Sequence, residues 1–276
     1  MMKQRLSNKV LLYIILIAMV MVIIFPVYFM ILASFQPTTQ AMAYPPNFFF
    51  KTFSVEKISH IMQNTAIFRW IGNSFIVSVG VVLVNLLVSV PAAYSIARYK
   101  IPFNRYLLIV ILVTQMIPSA IMVVPLFEIF ASGGMIDNLF SLILSNTILT
   151  LPLGTWILIG FFENIPKSIE EAAQMDGVSR IGLFFRINIP LITPALITVA
   201  IIIFFDTWNE YMYAYSFITS QSKWLGTVGV ASLIGQFRTD WQGLMITSML
   251  FSILPMGIYI FLRKYIVRGV AEGFTK

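Results

Sequence analysis

SIEEAAQMDGVSRIGLFFRINIP, residues 168–190, is a polar stretch that lies between two long apolar runs. The flanking runs, residues 139–162 and 191–217, are each long enough to cross a bilayer, which takes about 20 residues of helix. A loop that only joins two membrane helices needs few polar residues, whereas this one carries charges, helix start signals and a helix terminator. The stretch therefore predicts a structured element at one face of a membrane domain.

The composition of the whole chain agrees with a membrane protein. Of its 276 residues, 59% are hydrophobic and 11% are charged, whereas soluble domains are about 45–50% apolar and about 25% charged. The net charge of +7 is therefore taken as a topology signal, and no nucleic-acid partner is expected. Cysteine is absent, which excludes disulfides, thiolate metal sites and cysteine nucleophiles.

Six apolar runs predict an all-α, polytopic fold with six transmembrane helices. The predicted spans are residues 10–35, 72–97, 106–127, 139–162, 191–217 and 244–267. The first could be a secretion leader, but it is longer than the apolar core of a leader, about 7–15 residues, so we expect a retained helix. Prolines inside the runs are expected to kink these helices. They are Pro26, Pro91, Pro118, Pro125, Pro152 and Pro255.

Basic residues set the orientation, because Lys and Arg concentrate on the cytoplasmic side. With the N-terminus inside, thirteen of the eighteen Lys and Arg residues are cytoplasmic. The five left outside are Lys51, Lys57, Arg69, Lys223 and Arg238. We therefore expect a cytoplasmic N-terminus at residues 1–9, a membrane domain at 10–267 with an inner loop at 163–190, and a cytoplasmic tail at 268–276.

The inner loop, residues 163–190, has its own helix punctuation. Ser168 and Glu171 have the spacing of a capping box, in which each side chain satisfies a backbone N–H at a helix start. Gly177 is expected to end that helix, Ser179 is a cap for a second helix, and Pro190 marks the entry to the fifth span. The loop therefore predicts a short helix, a turn and a second, amphipathic helix.

Two uses of this loop remain open on physical grounds. An interfacial anchor explains Phe184 and Phe185 well. Docking to another protein explains why Ala172 and Ala173 should present a small, smooth surface beside two acids, since small residues allow close approach.

The loop resembles the signature of binding-protein-dependent ABC importer permeases, in which Glu-Ala-Ala, Gly and Ile-x-Leu-Pro occur at fixed spacing. The matching residues are Glu171-Ala172-Ala173, Gly177 and Ile187-Asn188-Ile189-Pro190, with Ile189 where Leu is usual. More loosely, Asn73-Ser74, the residues Trp208 to Tyr211 and the Gly269…Gly273 tail resemble the carbohydrate subfamily, in particular its maltose-permease-G-like members.

This resemblance implies a permease subunit in the cell (inner or plasma) membrane that imports a sugar, such as an oligosaccharide or disaccharide. It implies a second homologous permease subunit, two ATP-binding subunits and an extracytoplasmic solute-binding protein as partners. The inner loop would be the coupling helix that docks on an ATP-binding subunit. The coupling residues on this basis are Glu170, Glu171, Ala172, Ala173, Met175, Asp176, Gly177 and Pro190.

No ATP site of its own is expected in this chain. None of its fifteen glycines is followed by Lys, so the chain has no phosphate-cradling P-loop. ATP and Mg would be bound by the partner subunits. We expect no catalytic residue, metal site or cofactor here.

FFDTWNEYMYAYSF, residues 204–217, predicts the substrate pathway. On one helix, Asp206, Asn209, Glu210 and Tyr213 would share a face, with Trp208, Tyr211 and Tyr215 on an adjacent aromatic face. A carboxylate in hydrocarbon costs about 2.5–3.5 kcal/mol, so the acids should face protein or water. Carboxylates and rings suit a neutral polyol. An interfacial aromatic belt is the alternative, particularly for Tyr213 and Tyr215.

Other polar residues are candidates for the pathway, and other functions are alternatives to sugar import. Asn85, Gln115 and Asn146 either bond between helices or line a pathway. A permease of the same superfamily for another solute is one alternative, and an ion-coupled secondary transporter is another, although no repeat supports the latter. The sole histidine, His60, lies in an outer loop, and no nucleophile–base pair supports an intramembrane enzyme.

Overall fold

The apolar runs form helices. The structure, a computed structural model, describes residues 2–99, 104–235 and 239–274, with side-chain surroundings for 9–99, 106–235 and 239–263. Within these ranges the only β feature is one isolated bridge between Ile234 and Thr239. The predicted all-α class is confirmed.

Thirteen helices follow one another along the described chain. They are α1 Met2–Ser34, α2 Thr38–Ala41, α3 Glu56–Asn64, α4 Ile67–Arg98, α5 Asn104–Thr114, α6 Ser119–Ser132, α7 Leu139–Asn164, α8 Lys167–Met175, α9 Arg180–Leu191, α10 Thr193–Trp208, α11 Met212–Phe217, α12 Gly226–Ala231 and α13 Trp241–Phe274. The middle of α9, Leu183–Asn188, is π-helical, and a 3₁₀ turn covers Gln221–Lys223.

Four predicted spans coincide with long helices, and the third and fifth overlap bent pairs of helices. By length and composition, α1 from Lys9, α4, α7 and α13 to Arg263 are each able to cross a membrane. The pair α5 and α6 is bent by 92° and the pair α9 and α10 by 71°. The four long helices give four spans, and the total is six if each bent pair crosses the membrane once. A kink at Pro118 in the third span was expected, whereas the fifth span was expected to be one helix and is broken.

Proline explains the break in the third span. Pro118 is the N-cap of α6, immediately after the turn that ends α5. A proline has no N–H to donate and disfavours helical geometry in the residue before it, so α5 cannot run on into α6. Continuous helices contain the other five prolines that were expected to kink, which are Pro26, Pro91, Pro125, Pro152 and Pro255.

Two different causes break the fifth span. Near its start, Pro194 cannot donate to the carbonyl of Pro190, and the chain bends at Ile192 between α9 and α10. Near its end, α10 stops at Trp208, because the Glu210 carboxylate accepts hydrogen bonds from the amides of Tyr213 and Ala214 at 2.6 and 3.0 Å and so caps a new helix, α11. Such local side-chain bonds compete with helix continuation.

The chain divides into two compact units, each described here by itself. The first comprises Met1–Phe68 and Gly229–Leu254. Within it, the buried Gln242 amide donates to the carbonyls of Ala33 and Gln36 at 3.2 and 2.8 Å. Residues 9–28 of α1 are all exposed, so no other part of the described chain buries this portion of the helix.

The second unit comprises Arg69–Val228 and Pro255–Lys276. Its apolar core is built mainly from α4, α7 and α10, with fully buried residues such as Val77, Leu142, Leu158 and Ile203. Burying a side chain of this kind stabilises a fold by about 1.5–3 kcal/mol. Helix α7 lies at the centre of this core, and half of the residues in its most apolar stretch are buried.

The last helix extends into the predicted tail, residues 268–276. Helix α13 begins at Trp241 and continues to Phe274, beyond the expected end of the sixth span at residue 267. Thr275 and Lys276, at the end of the predicted tail, lie outside the described residues, as do Lys100 and Arg238 among the residues used to set the orientation. The side chains of Lys3, Arg5, Arg105, Lys264 and Arg268 are also outside the described part.

Candidate functional site

The inner loop folds into α8, a turn and α9, but α8 does not start as predicted. The helix begins at Lys167 with Pro166 as its N-cap, and no side chain caps it. Ser168 is therefore already the second residue of the helix, where its hydroxyl is badly placed for capping. The predicted capping box of Ser168 and Glu171 was wrong, because proline, with φ preset at −58°, fixes the start two residues earlier.

The end of α8 follows the sequence signal. Gly177 has a φ of +81°, a region that glycine adopts without steric cost. The Gly177 amide donates to the carbonyl of Gln174, and the Val178 amide donates to that of Ala173, both at 3.0 Å. This pair of bonds is a Schellman motif. Ser179 then accepts from the Gly182 amide at 3.1 Å and caps α9, as predicted.

Glu170 is held inside the protein by a residue far away in the sequence. Its Oε1 lies 2.8 Å from Nε of Arg98, the last residue of α4, and the two side chains are only 13% and 5% exposed. Arg98 also donates from Nη2 to the carbonyl of Ile165 at 2.9 Å, where α7 ends. One guanidinium thus ties α8 to the ends of both α4 and α7.

Arg98 is the residue that the sequence analysis missed. It was used there only as one of many basic residues that set the orientation. Arg98 lies at the predicted inner end of the second span, and the next predicted inner loop contains acids. This arrangement could have indicated an ion pair. The spacing alone did not indicate which acid it would pair with.

The remaining residues of α8 divide into an exposed and a buried face. Glu171, Ala172, Met175 and Asp176 are exposed, with the Met175 side chain 89% accessible. Ala173, in contrast, is 9% exposed and packs inward. The expectation that both alanines present one smooth surface was wrong, because successive helical residues point about 100° apart and only Ala172 shares the outer face.

An aromatic cluster supports α9 from the interior. The Tyr94 ring on α4 lies 5.4 Å from Phe162 of α7 and 5.0 Å from Phe184 of α9. Leu183 beside Phe184 is buried, whereas Phe185 is 63% exposed. Pro190 is exposed and lies two residues before the bend at Ile192. The amphipathic second helix of the prediction is present, with its π-helical turn against this cluster.

The stretch at residues 204–217 does not form one helical face. Asn209, Glu210 and Tyr211 lie between α10 and α11, so the predicted i,i+4 relationship between Asp206 and Glu210 was wrong. Glu210 caps α11, and its carbonyl accepts a bond of 2.6 Å from Thr227 Oγ1. Its carboxylate is therefore committed to the fold.

Some of the predicted pathway residues are buried in the fold, and others are exposed. Trp208 and Tyr213 are buried, at 2% and 1% exposure, and the Tyr213 hydroxyl donates to the Ser119 carbonyl at 2.6 Å. Asp206, Asn209 and Tyr211 remain exposed, and the Tyr211 ring stacks on Tyr215 at 5.4 Å. We call the exposed group Asp206, Asn209, Tyr211 and Tyr215 the polar aromatic edge.

Three polar candidates make bonds within the bundle; Asn85 and Asn146 are buried, whereas Gln115, which was expected to be buried, is exposed. Asn85 of α4 donates to the Thr150 hydroxyl of α7 at 3.0 Å, the interhelical bond that was one of its two predicted roles. Gln115 donates to the Leu149 carbonyl at 3.2 Å. Asn146 donates to the Leu142 carbonyl of its own helix at 2.9 Å. Each of the three amides thus has a partner in the fold.

An acid outside the predicted site organises the loop at residues 218–224. Asp137, in the turn before α7, accepts hydrogen bonds from the Lys223 ammonium and the Ser220 hydroxyl at 2.8 and 2.6 Å. It also accepts from the Thr219 and Ser220 amides. These donors, Lys223 first, hold the pKa of the Asp137 carboxyl well below its usual range. No group of three or more potential metal ligands occurs in the described residues.

Comparison with known proteins decides the class of this chain. Residues 89–272, which include the whole of α8 and α9, match the family model described as the inner membrane component of binding-protein-dependent transport systems. The chain belongs to this family.

Relatives of this inner membrane component align along nearly its whole length. The sulfoquinovosyl glycerol transport system permease protein SmoH of Agrobacterium fabrum is 29% identical over 254 residues, 92% of this chain and 89% of SmoH. The trehalose/maltose transport system permease protein MalG of Thermococcus litoralis is 29% identical over 278 residues, covering 100% of this chain and 99% of MalG.

A solved structure shares the fold of this inner membrane component. A chain of a bacterial ABC transporter that imports the acidic polysaccharide alginate superposes with a TM-score of 0.80. The match covers 94% of this chain and 95% of the other, at 19% identity. Family membership identifies the chain as a membrane-embedded ABC importer permease, and it removes the ion-coupled secondary transporter as an alternative.

Proposed function

We propose that this chain is the permease subunit of an ATP-driven, binding-protein-dependent importer of a sugar. It acts with a second homologous permease subunit, two ATP-binding subunits and an extracytoplasmic solute-binding protein. ATP and Mg are bound by the ATP-binding subunits, so this chain is a transport subunit without a catalytic site. Its N- and C-termini lie in the cytoplasm, with residues 10–267 as the membrane domain and 268–276 as the tail.

The observation that carries the coupling proposal is that two adjacent acids differ in their surroundings. Glu170 is sequestered by Arg98, whereas Glu171 is exposed beside Ala172, Met175 and Asp176. An exposed methionine next to acids is poorly suited to the bilayer interior and well suited to a cleft on a protein with basic groups. In this proposal, the exposed face of α8 sits in that cleft on the ATP-binding subunit.

The buried ion pair supplies the mechanical link. When the ATP-binding subunits close, they displace α8, and the Arg98 contacts to Glu170 and Ile165 pass that displacement to α4 and α7. These helices carry the core of their unit, so the motion reaches the pathway through rigid elements. Gly177 ends α8 sharply and keeps its exposed face short. Pro190 precedes the bend through which α9 continues into α10.

The sugar proposal rests on the relatives and on the chemistry of the polar aromatic edge. Both named relatives are permeases for glycosidic solutes. In this chain, Asp206 and Asn209 offer hydrogen-bond acceptors for hydroxyls, and the stacked rings of Tyr211 and Tyr215 offer apolar faces for sugar C–H groups. We infer that this edge borders the substrate path, while Glu210, Trp208 and Tyr213 hold it in place.

A crosslinking experiment tests the docking proposal. Because the chain has no native cysteine, a benzophenone label can be attached to single cysteines at Ala172 and Met175, with an exposed outer-loop residue, Ser59, as the matched control. In the assembled transporter, both inner labels should capture an ATP-binding subunit and the Ser59 label should not. Capture of no ATP-hydrolysing subunit at either inner position would overturn the proposal.

The substrate class has its own test. The complete transporter, with its solute-binding protein, is reconstituted in vesicles, and ATPase activity is measured across a panel of mono-, di- and oligosaccharides beside amino acids and peptides. Stimulation confined to sugars is the expected result. Stimulation by another solute class would support the alternative of a superfamily permease for that solute.

A further inference from the structure

A run of aromatic residues in the first outer loop is folded back along α1. We call residues 44–53 the outer aromatic segment; its rings are Tyr44, Phe48, Phe49, Phe50 and Phe53. Around it, the loop is closed where the Ser54 amide donates to the Phe35 carbonyl at 2.8 Å and where Phe53 stacks on Phe35 at 5.4 Å.

The segment reaches well below the end of α1. The Phe48 ring lies 6.3 Å from both Phe25 and Phe29, and the Tyr28 hydroxyl donates to the Phe48 carbonyl at 2.6 Å. Tyr28 precedes Phe35 by seven residues, which corresponds to about 10 Å along a helix at about 1.5 Å per residue. The aromatic run therefore lies beside the outer part of the span rather than above it.

The length of α1 places this contact at a definite depth. The apolar part of the span begins after Lys9. A hydrocarbon core of about 30 Å corresponds to about 20 helical residues, which extends from Val10 to about Phe29. Phe25 and Phe29 thus fall at the outer edge of the hydrocarbon, and Phe48 lies there with them. This is the depth at which aromatic side chains concentrate in membrane proteins.

The backbone of the segment is adapted to a place where water is scarce. The carbonyl of Phe48 is satisfied by Tyr28, and the carbonyl of Phe49 accepts from the amide of the buried Gln36 at 3.1 Å. Irregular backbone near hydrocarbon requires such partners, because an unsatisfied polar group there costs several kcal/mol. A loop in bulk water would gain little from these two long-range bonds.

The outward face of the segment is apolar and carries no acid. Tyr44, Phe49 and Phe53 are 97%, 78% and 70% exposed. Residues 36–54 contain no Asp or Glu and a single base, Lys51. This combination suits the headgroup region, where rings sit at the acyl boundary and a cation meets phosphate. The exposed apolar surface of α1 at residues 9–28 continues it into the bilayer.

We propose that the outer aromatic segment is a lipid-binding anchor that inserts into the outer-leaflet interface, with phospholipid as its partner and Lys51 at the headgroup phosphate. The anchor fixes the outer end of α1 in the membrane. It is independent of the sugar and of the ATP-binding subunits.

Spin-label accessibility tests the anchor, since the chain has no native cysteine. Single cysteines at Phe49, Phe53 and Thr52 carry nitroxides in the complete transporter, in nanodiscs of phosphatidylethanolamine and phosphatidylglycerol. The cysteine at Thr52 replaces no aromatic ring, so it still reports on the segment if a phenylalanine variant fails to fold. Leu16, in the middle of α1, is the lipid reference, and His60 on α3 is the water reference.

The ratio of collisions with oxygen to collisions with a water-soluble nickel chelate reports the environment. We expect ratios at Phe49 and Phe53 that exceed the His60 value and approach the Leu16 value. Ratios equal to that of His60 would show that the segment lies in water. Loss of collisions with both reagents would show that a protein partner covers it. Either result would overturn the lipid anchor.

Discussion

Arg98 and Glu170 form an ion pair of 2.8 Å between the end of α4 and the first turns of α8. The same guanidinium binds the carbonyl of Ile165. The element that is proposed to receive force from ATP hydrolysis is therefore tied to the ends of α4 and α7 through one buried guanidinium. Glu170, which the motif analysis grouped with the docking residues, belongs to the attachment.

Breaking this ion pair should separate ATP hydrolysis from transport. In Glu170→Gln, Arg98 loses its charge partner, and removing one member of a buried pair costs about 3–5 kcal/mol. We expect the ATP-binding subunits still to bind, because Glu171, Ala172 and Met175 are unchanged, but uptake per ATP hydrolysed should fall. The measurement is the ratio of uptake to ATPase activity in vesicles.

The charge-swapped double variant Arg98→Glu/Glu170→Arg is the rescue control. It should recover part of the coupling ratio if the pair acts through its charges, whereas a purely structural loss would not be rescued. The exposed neighbour gives the matched comparison, since Glu171→Gln should weaken capture of the ATP-binding subunit rather than transmission. Equal coupling ratios in wild type and Glu170→Gln would remove Arg98 from the mechanism.

Gly177 should tolerate no side chain without loss of coupling. A Cβ at this position would meet no atom within 4 Å, so the penalty of Gly177→Ala comes from the φ of +81°, at about 1–2 kcal/mol, and Val should be worse. We expect reduced uptake and reduced co-purification of ATP-binding subunits. Gly160→Ala on α7 is the control, because it also adds a methyl group in open space but in helical geometry. Similar behaviour of the two alanine variants would contradict the prediction.

Asp206→Ala should impair uptake while leaving assembly intact. The side chain is exposed at the polar aromatic edge, and a charge-assisted hydrogen bond contributes about 1.5–3 kcal/mol. Its loss corresponds to a roughly ten- to hundredfold decrease in transport efficiency, measured as initial uptake in vesicles. Glu128→Ala removes another exposed acid, on α6, and should be close to wild type. Normal transport by Asp206→Ala would exclude this residue from the path.

The loop at residues 218–224 should depend on the charge of Asp137. Because hydrogen bonds from Lys223 and Ser220 lower the pKa of Asp137 in the fold, its contribution is present above the unfolded pKa of about 3.9 and fades as pH falls below that value. No change is expected between pH 7 and pH 5. Asp137→Asn should accelerate amide hydrogen exchange at Thr219 and Ser220 at pH 7. Unchanged exchange would show that the carboxylate does not hold this loop.

Much of the architecture could be predicted from local pattern. The six apolar runs correspond to four long helices and two bent pairs, because length and apolarity are properties of contiguous residues. The turn at Gly177 and the cap at Ser179 were predicted correctly for the same reason, since each depends on bonds within a few residues. The capping box at Ser168 failed because the helix begins earlier, directly after Pro166.

The candidate site was predicted less completely. The sequence predicted the helix α8, whose docking role stays a prediction, and a polar region at residues 204–217. It treated the latter as one continuous helix, whereas Glu210 ends one helix and caps the next. It placed Trp208 and Tyr213 on the pathway, although both are buried in the packing. Exposure depends on neighbours that are remote in the chain, and periodicity carries no information about them.

The sequence by itself determined that the chain is a helical membrane protein with a punctuated inner loop, because hydrophobic runs and helix ends are encoded locally. Only the tertiary structure decided which acid of the loop faces outward. Glu170 and Glu171 are identical in type and adjacent, and what separates them is Arg98, 72 positions earlier, which the packing of α4 against the inner loop brings within 2.8 Å. Burial makes that pairing obligatory, since an ion removed from water needs its partner.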